Sequence, residues 1–106
     1  MGLDENTIDE IVRRILSVAK PERIILFGSA ATGDMNRDSD VDILVVEAAP
    51  TDSRKESVLI HDALRGLGYA FDVVVISSKW FEESKTVIGG IAYPANKYGR
   101  VLYEAA

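Results

Sequence analysis

The sequence of 106 residues lacks cysteine and contains one histidine and one tryptophan. Without thiols the chain forms neither disulfide bonds nor thiolate metal sites, and it has no cysteine nucleophile. Basic residues are also scarce, because 12 Lys and Arg stand against 17 Asp and Glu and give a formal net charge of −5. Electrostatic binding to nucleic acid or to an anionic membrane requires a surplus of cationic side chains. We therefore expect neither of these partners.

Long apolar runs are absent as well. No run approaches the roughly 20 residues that span a bilayer, and the N-terminus is polar and acidic, unlike a signal peptide. We therefore expect a cytoplasmic protein. The length and an ordinary hydrophobic fraction of 47% are typical of one globular domain, which we expect to cover residues 1–106.

Apolar residues follow helical and strand periodicities in alternation, which is typical of an α/β domain. Strands are predicted at residues 24–27, 40–46 and 71–76, and a last short strand or turn at 101–103. Helices are predicted at residues 7–19, after residues 51–53, and from Ser77 or Ser78 to about Lys85, with a loop and one helical turn in 30–39. Thr7 and Glu10 have the spacing of a capping box at the start of the first helix.

Two aspartates, Asp40 and Asp42, begin the second predicted strand. Alternate residues of a strand point to the same face, so these carboxylates lie on one side with Cα atoms about 6.6 Å apart. Desolvation and mutual repulsion oppose two unpaired negative charges in such a place. A divalent cation compensates them best, and Mg²⁺ favours one or two carboxylates together with phosphate oxygens. The pair is therefore predicted to bind Mg²⁺.

Gly28 and Ser29 follow the first predicted strand, with ten residues between Ser29 and Asp40. Glycine allows the backbone to turn sharply and to approach a phosphate closely. Ser29 offers a hydroxyl and a backbone N–H to a phosphate oxygen, especially where a helical turn begins. Both residues are predicted to bind the phosphates of a nucleotide.

Asp72 is the second residue of a third predicted strand whose other members are apolar. If this strand lies beside the second one, its carboxylate can face Asp40 and Asp42. Two roles are then open: ligand of a second metal ion, or base that takes the proton from an acceptor hydroxyl. Two metal ions about 3.5–4 Å apart stabilise the attacking and leaving oxygens of an in-line displacement.

The motif of Gly28-Ser29, ten residues and Asp40-Val41-Asp42, followed by Asp72, resembles the DNA polymerase beta-like nucleotidyltransferase superfamily. Within it, the chain is similar to the minimal (MNT) type. The resemblance implies a mixed sheet with helices packed against one face, two Mg²⁺ ions and an NTP donor. It implies that Asp40 and Asp42 are metal ligands and that Asp72 completes the site. It also implies a HEPN-domain partner in a toxin–antitoxin module, where some members adenylylate a tyrosine of the partner.

The chain departs from this family pattern at Ala30 and Thr32, where arginine is common at one or both positions. Such arginines would help to grip a triphosphate, and Arg37, Lys97 and Arg100 are the candidates to replace them. One interpretation is an active transferase that moves NMP, most simply AMP, to an acceptor hydroxyl. The alternative is a non-catalytic antitoxin that masks a HEPN partner. A small-molecule or antibiotic nucleotidyltransferase is a third interpretation, although such enzymes usually hold the acceptor with an additional domain.

Overall fold

The computed structural model describes residues 3–36 and 38–106, which form four strands and five helices. In chain order these are α1 (Glu5–Val18), β1 (Arg23–Phe27), α2 (Ser29–Thr32), β2 (Val41–Glu47), α3 (Ser53–Ala63), β3 (Phe71–Ser77), α4 (Ser78–Ser84), α5 (Ala92–Tyr98) and β4 (Arg100–Glu104). None of these described helices combines the length and the apolar character that a bilayer crossing requires.

The strands form one mixed sheet in the order β3-β2-β1-β4. β1 runs antiparallel to both β2 and β4, whereas β2 and β3 are parallel and are joined through α3. A parallel pair needs such a crossover, because a tight hairpin reverses the chain direction. The mixed sheet is thus confirmed, and the third predicted strand does lie beside the second.

Apolar side chains cover both faces of this sheet. On one face α1 and α3 contribute Ile11, Ile15, Ile60 and Leu64 to a core with Ile24, Leu26, Val41, Ile43 and Val45. On the other face α4 and α5 contribute Phe81, Ala92 and Ala95 to a core with Ile25, Leu44 and Val46. The prediction that helices pack against only one face is therefore wrong, because helices cover both faces. Because consecutive residues of β2 are apolar, both of its faces require a cover.

Two local predictions also differ from the structure. Asp4 caps α1, its side chain accepting a hydrogen bond from the Thr7 N–H at 2.7 Å, so the helix begins two residues before Thr7. The predicted capping box is therefore wrong. Helix α5 was not predicted, because Pro94 is a common helix breaker. Pro94 lies in the first turn of α5, where its missing N–H would have no partner within the helix.

One carboxyl group lies in the interior of the described chain. Glu47, the last residue of β2, is 6% exposed and lies against Glu56 of α3. An oxygen of each side chain, Oε2, is buried without a hydrogen-bond partner. Burial, followed by the hydrogen bond and the charge of Glu56, raises the pKa of Glu47 from its ordinary 4.5 to about 7. The native protein therefore binds this proton more tightly than the unfolded chain, and stability falls as the pH rises from about 4.5 through 7.

We expect Glu47→Gln to stabilise the protein more at about pH 9 than at about pH 5, since glutamine resembles the protonated acid. The gap in melting temperature should widen by several degrees, because about 1 kcal/mol moves the Tm of a domain of this size by about 4–8 °C. Thermal unfolding across this pH range measures the gap, with the exposed Glu83→Gln as control. A gap that stays constant with pH contradicts the pKa shift.

Candidate active site

The three aspartates lie at one end of the sheet. Asp42 and Asp72 are the second residues of β2 and β3 and are direct register partners. Register partners point to the same face of a sheet, which here is the face covered by α4 and α5. Asp40 lies two residues before Asp42, immediately ahead of β2. Asp42 is half-buried, whereas Asp40 and Asp72 are exposed. The fold thus brings Asp72 next to the Asp40 and Asp42 pair that the sequence motif contains.

The negative charges of Asp40 and Asp72 repel that of Asp42. Burial raises the pKa of Asp42, and the negative charges of Asp72 and Asp40 raise it further. A carboxylate in this environment gains from any positive charge that approaches its open side. The site is therefore a region of concentrated negative charge that favours a cation.

Gly28 forms the opposite wall of the site. The residue before it, Phe27, pairs with Asp42 across the antiparallel β1–β2 ladder. Gly28 has φ +69° and ψ −154°, a conformation that L-residues avoid. A Cβ atom at this position would also collide with the Oδ2 atom of Asp42. The positive φ therefore favours glycine here, and a side chain at this position would force the Asp42 carboxylate to move.

Ser29 begins the single-turn helix α2, as the predicted loop with one helical turn anticipated. The carbonyl oxygen of Gly28 accepts hydrogen bonds from the N–H groups of Ala31, at 3.1 Å, and Thr32, at 3.3 Å. These bonds hold the Gly28–Ser29 bend next to Asp42. The predicted phosphate-binding residues and the acidic residues are thus neighbours in the fold.

The ligand chemistry of the site fits Mg²⁺, because carboxylate oxygens are its preferred protein ligands. Across the residues that the structure describes, however, no three His, Cys, Asp or Glu side chains converge closely enough to hold an ion by themselves. Mg²⁺ commonly takes one or two carboxylates and completes its octahedron with water and substrate phosphates. Asp40, Asp42 and Asp72 therefore fit a metal whose coordination a nucleotide completes, rather than a closed protein cage.

Two of the candidate substitutes for the missing arginines already have hydrogen-bond partners. Arg100 donates a hydrogen bond from Nη2 to Oε1 of Glu5 at 2.8 Å. Its register partner, Leu26, belongs to the core on the face opposite the aspartates. Lys97, on α5, donates from Nζ to the Tyr93 hydroxyl at 3.2 Å. The third candidate, Arg37, lies outside the described residues.

A recess beside Asp72 was not indicated by the sequence. It has a volume of about 210 Å³ and lies between β3 and α3, where Val58, His61, Phe71 and Asp72 line it. Because α3 covers the sheet face of Phe71, the recess lies on the face opposite to that of the Asp42 and Asp72 side chains. Helical periodicity places His61 on the surface but does not show which strand it approaches. The parallel pairing of β2 and β3 brings the two elements together.

The chain is similar to known proteins in sequence and in fold. A family model described as a nucleotidyltransferase domain matches residues 6–93. Over 55 residues the chain is 40% identical to a proposed protein adenylyltransferase of Methanocaldococcus jannaschii. That alignment covers 49% of this chain and 56% of the relative, so the chain spans little more than half the length of this curated protein.

Solved structures of similar shape include two toxin–antitoxin complexes. A chain of a toxin–antitoxin crystal structure with AMP-PNP superimposes with a TM-score of 0.63 and 26% identity, over 97% of this chain and 75% of the other. A chain from the complex of tri-AMPylated Shewanella oneidensis HEPN toxin with MNT antitoxin gives a TM-score of 0.61 and 20% identity, over 97% and 74%. The second likeness shows a shared fold.

We expect Gly28→Ala to destabilise the protein, because positive-φ strain of about 1–3 kcal/mol adds to the collision with Asp42. In the Asp42→Ala background the collision is absent, so the cost of Gly28→Ala should fall by about 1 kcal/mol. Chemical denaturation of the four variants of this double-mutant cycle measures the coupling.

Gly33→Ala is the matched control, since Gly33 also has positive φ, +85°, but an added Cβ would meet nothing within 4 Å. Its cost should be the same with and without Asp42→Ala. An equal cost of Gly28→Ala in both backgrounds contradicts the close packing of Gly28 on Asp42.

Proposed function

This chain belongs to the nucleotidyltransferase domain family, and from that premise we propose that it transfers a nucleoside monophosphate from an NTP to a hydroxyl of a partner protein. The observation that carries the proposal is the arrangement of Asp42 between Gly28 on one side and Asp72 on the other. AMP from ATP is the proposed donor group, supported by the similarity to a protein adenylyltransferase and to a complex with AMP-PNP.

Each site residue has a role in this proposal. Gly28 and Ser29 bind the donor phosphates at the bend before α2. Asp40 and Asp42 would hold Mg²⁺, and Asp72 would help to hold a second ion, as the resemblance to the family implies. Mg²⁺, when bound, neutralises the carboxylates and the charge on the phosphates.

The transfer itself follows the usual pattern of phosphoryl chemistry. The acceptor oxygen forms a bond to the α-phosphorus, the bond from this phosphorus to the bridging oxygen breaks, and pyrophosphate leaves with the electron pair. Asp72 accepts the proton of the hydroxyl. The other site residues act by positioning the reactants and by balancing charge.

We propose that the acceptor is a HEPN-domain toxin and that the chain acts as its antitoxin in the cytoplasm, with residues 1–106 forming one catalytic domain. The support is the similarity to chains of toxin–antitoxin complexes, one of which contains an AMPylated HEPN toxin. A tyrosine hydroxyl is the proposed acceptor group, following the resemblance to the MNT type.

A second candidate function is masking of the HEPN partner without catalysis. The observation that favours it is that Ala30 and Thr32 stand at the bend in place of arginine, together with the pairing of Arg100 with Glu5. The two functions differ in their dependence on the acids. A masking antitoxin neutralises its partner with or without the carboxylate of Asp42.

We expect Asp42→Asn to reduce label transfer from α-labelled ATP, in the presence of Mg²⁺, to a HEPN-domain toxin of the proposed partner class. Loss of one preorganised electrostatic group costs about 10²–10³-fold in rate, and we expect a loss of at least this size. The control is Asp9→Asn, an exposed aspartate on α1, which should transfer at the wild-type rate. Equal transfer by wild type and Asp42→Asn contradicts the mechanism, and neutralisation without any transfer supports masking.

A further inference from the structure

The last turn of helix α5 lies beside the candidate active site. The helix packs on the sheet face to which the Asp42 side chain points, because its buried alanines belong to the core on that face. Gly99 follows α5 directly and lies so close to β1 that an added Cβ atom would meet the carbonyl oxygen of Leu26. Arg100 is the register partner of Leu26, two residues before Gly28. The last turn of α5 is therefore at the end of the sheet where the Gly28 bend meets the aspartates.

Lys97 is the basic residue of this last turn. Its Nζ atom donates a hydrogen bond to the Tyr93 hydroxyl at 3.2 Å and lies 5.6 Å and 5.4 Å from the ring centroids of Tyr93 and Tyr98. Contacts of a cation with aromatic rings are attractive and restrain the side chain. Neither partner is a carboxylate, and an ammonium group has three N–H donors. The tyrosines therefore hold the ammonium group near the end of α5 without compensating its charge.

The other described lysines and arginines fall into two groups. Members of the first group form ion pairs with carboxylates: Arg13, Arg14, Arg23, Arg65, Lys85 and Arg100. Members of the second group have no carboxylate within ion-pair distance but lie at the opposite end of the sheet, just before β1 or at the start of α3 or α4: Lys20, Arg54, Lys55 and Lys79. Within the described part of the chain, Lys97 is thus the one cation at the aspartate end that no carboxylate pairs.

The proposed transfer determines the side on which the leaving group stands. The attacking and leaving oxygens lie roughly in line, on opposite sides of the α-phosphorus. The proposed function assigns the acceptor proton to Asp72, on the β3 side of Asp42, so that pyrophosphate leaves on the β1 side. The Gly28 bend lies on that side and, beyond it, the last turn of α5. The leaving group is therefore directed toward Lys97.

We propose that Lys97 binds the β- and γ-phosphates of the donor and stabilises pyrophosphate as it leaves, and that Tyr93 and Tyr98 position its ammonium group. Lysine binds phosphate as a point charge. When the bond from the α-phosphorus to the bridging oxygen breaks, the electron pair stays on pyrophosphate. The ammonium group donates hydrogen bonds to its oxygens and transfers no proton. This inference rests on the proposed function and adds to it a residue that recognises the leaving group.

The test measures the binding of Mg²⁺-pyrophosphate and of Mg²⁺-ATP by titration calorimetry, without any transfer step. We expect Lys97→Met to raise the Kd of both ligands by about tenfold or more, because hydrogen bonds between charged groups contribute more than neutral ones. Lys97→Arg keeps a cation that binds phosphate, and its Kd values should stay within about threefold of wild type. Lys79→Met is the matched control, since Lys79 is also exposed but lies on α4 at the other end of the sheet. Its Kd values should equal those of the wild type.

Unchanged Kd values in Lys97→Met overturn the role of Lys97 and leave the proposed function intact. Weaker binding of Mg²⁺-ATP alone also overturns it, because Lys97 would then contact another part of the nucleotide, and so does a wild-type protein that binds Mg²⁺-ATP but not Mg²⁺-pyrophosphate. An equal loss in Lys79→Met or in Lys97→Arg overturns it as well, because the charge at position 97 would not be responsible. Absence of Mg²⁺-ATP binding by the wild-type protein contradicts the proposed function itself. Thermal unfolding without ligand checks the fold of Lys97→Met, and Lys97→Gln replaces this variant if it melts early.

Discussion

The repulsion between Asp42 and its neighbours Asp72 and Asp40 is the constraint on which the site depends. Strand pairing brings the carboxylates of Asp42 and Asp72 to the same face. Burial, followed by the charges of Asp72 and Asp40, raises the pKa of Asp42. The apolar cores on both faces of the sheet supply the stability that holds these like charges together. A cation would relieve the repulsion among these carboxylates. The proposed substrate, an NTP in complex with Mg²⁺, would bring one to the site.

The two ends of β2 show two ways of accommodating a carboxyl group. At one end, Glu47 is almost fully buried beside Glu56 and loses its proton only as the pH approaches and passes its pKa of about 7. At the other end, Asp42 remains half-buried and open to solvent, where an ion can reach it. Depth of burial thus separates a group that is neutralised within the protein from one that is available to a metal. Because Gly28 has no side chain, it leaves the Asp42 carboxylate room at this end of β2.

Much of this arrangement could be predicted from local pattern. The strands follow from apolar runs, and the spacing of Asp40 and Asp42 places both on one face. The second helical layer could have been inferred, since β2 is apolar on both sides, but the resemblance suggested cover on one face only. Helix α5 was missed because Pro94 normally interrupts a helix, although it is tolerated in a first turn. The recess between β3 and α3 depends on how α3 packs, which periodicity alone does not determine. The roles assigned to the site residues stay predictions.

The most direct test of the account is thermal unfolding with and without Mg²⁺-ATP. A ligand that binds only the native state raises its stability, by about 2.7 kcal/mol at a hundred times its Kd. We predict that millimolar Mg²⁺-ATP raises the Tm of the wild-type protein by several degrees, and that Asp42→Asn shows little increase. Without ligand, Asp42→Asn should melt at the same temperature as wild type or higher, because a repelled charge has been removed. No increase for the wild type, or an equal increase for both proteins, would contradict a site built from these carboxylates.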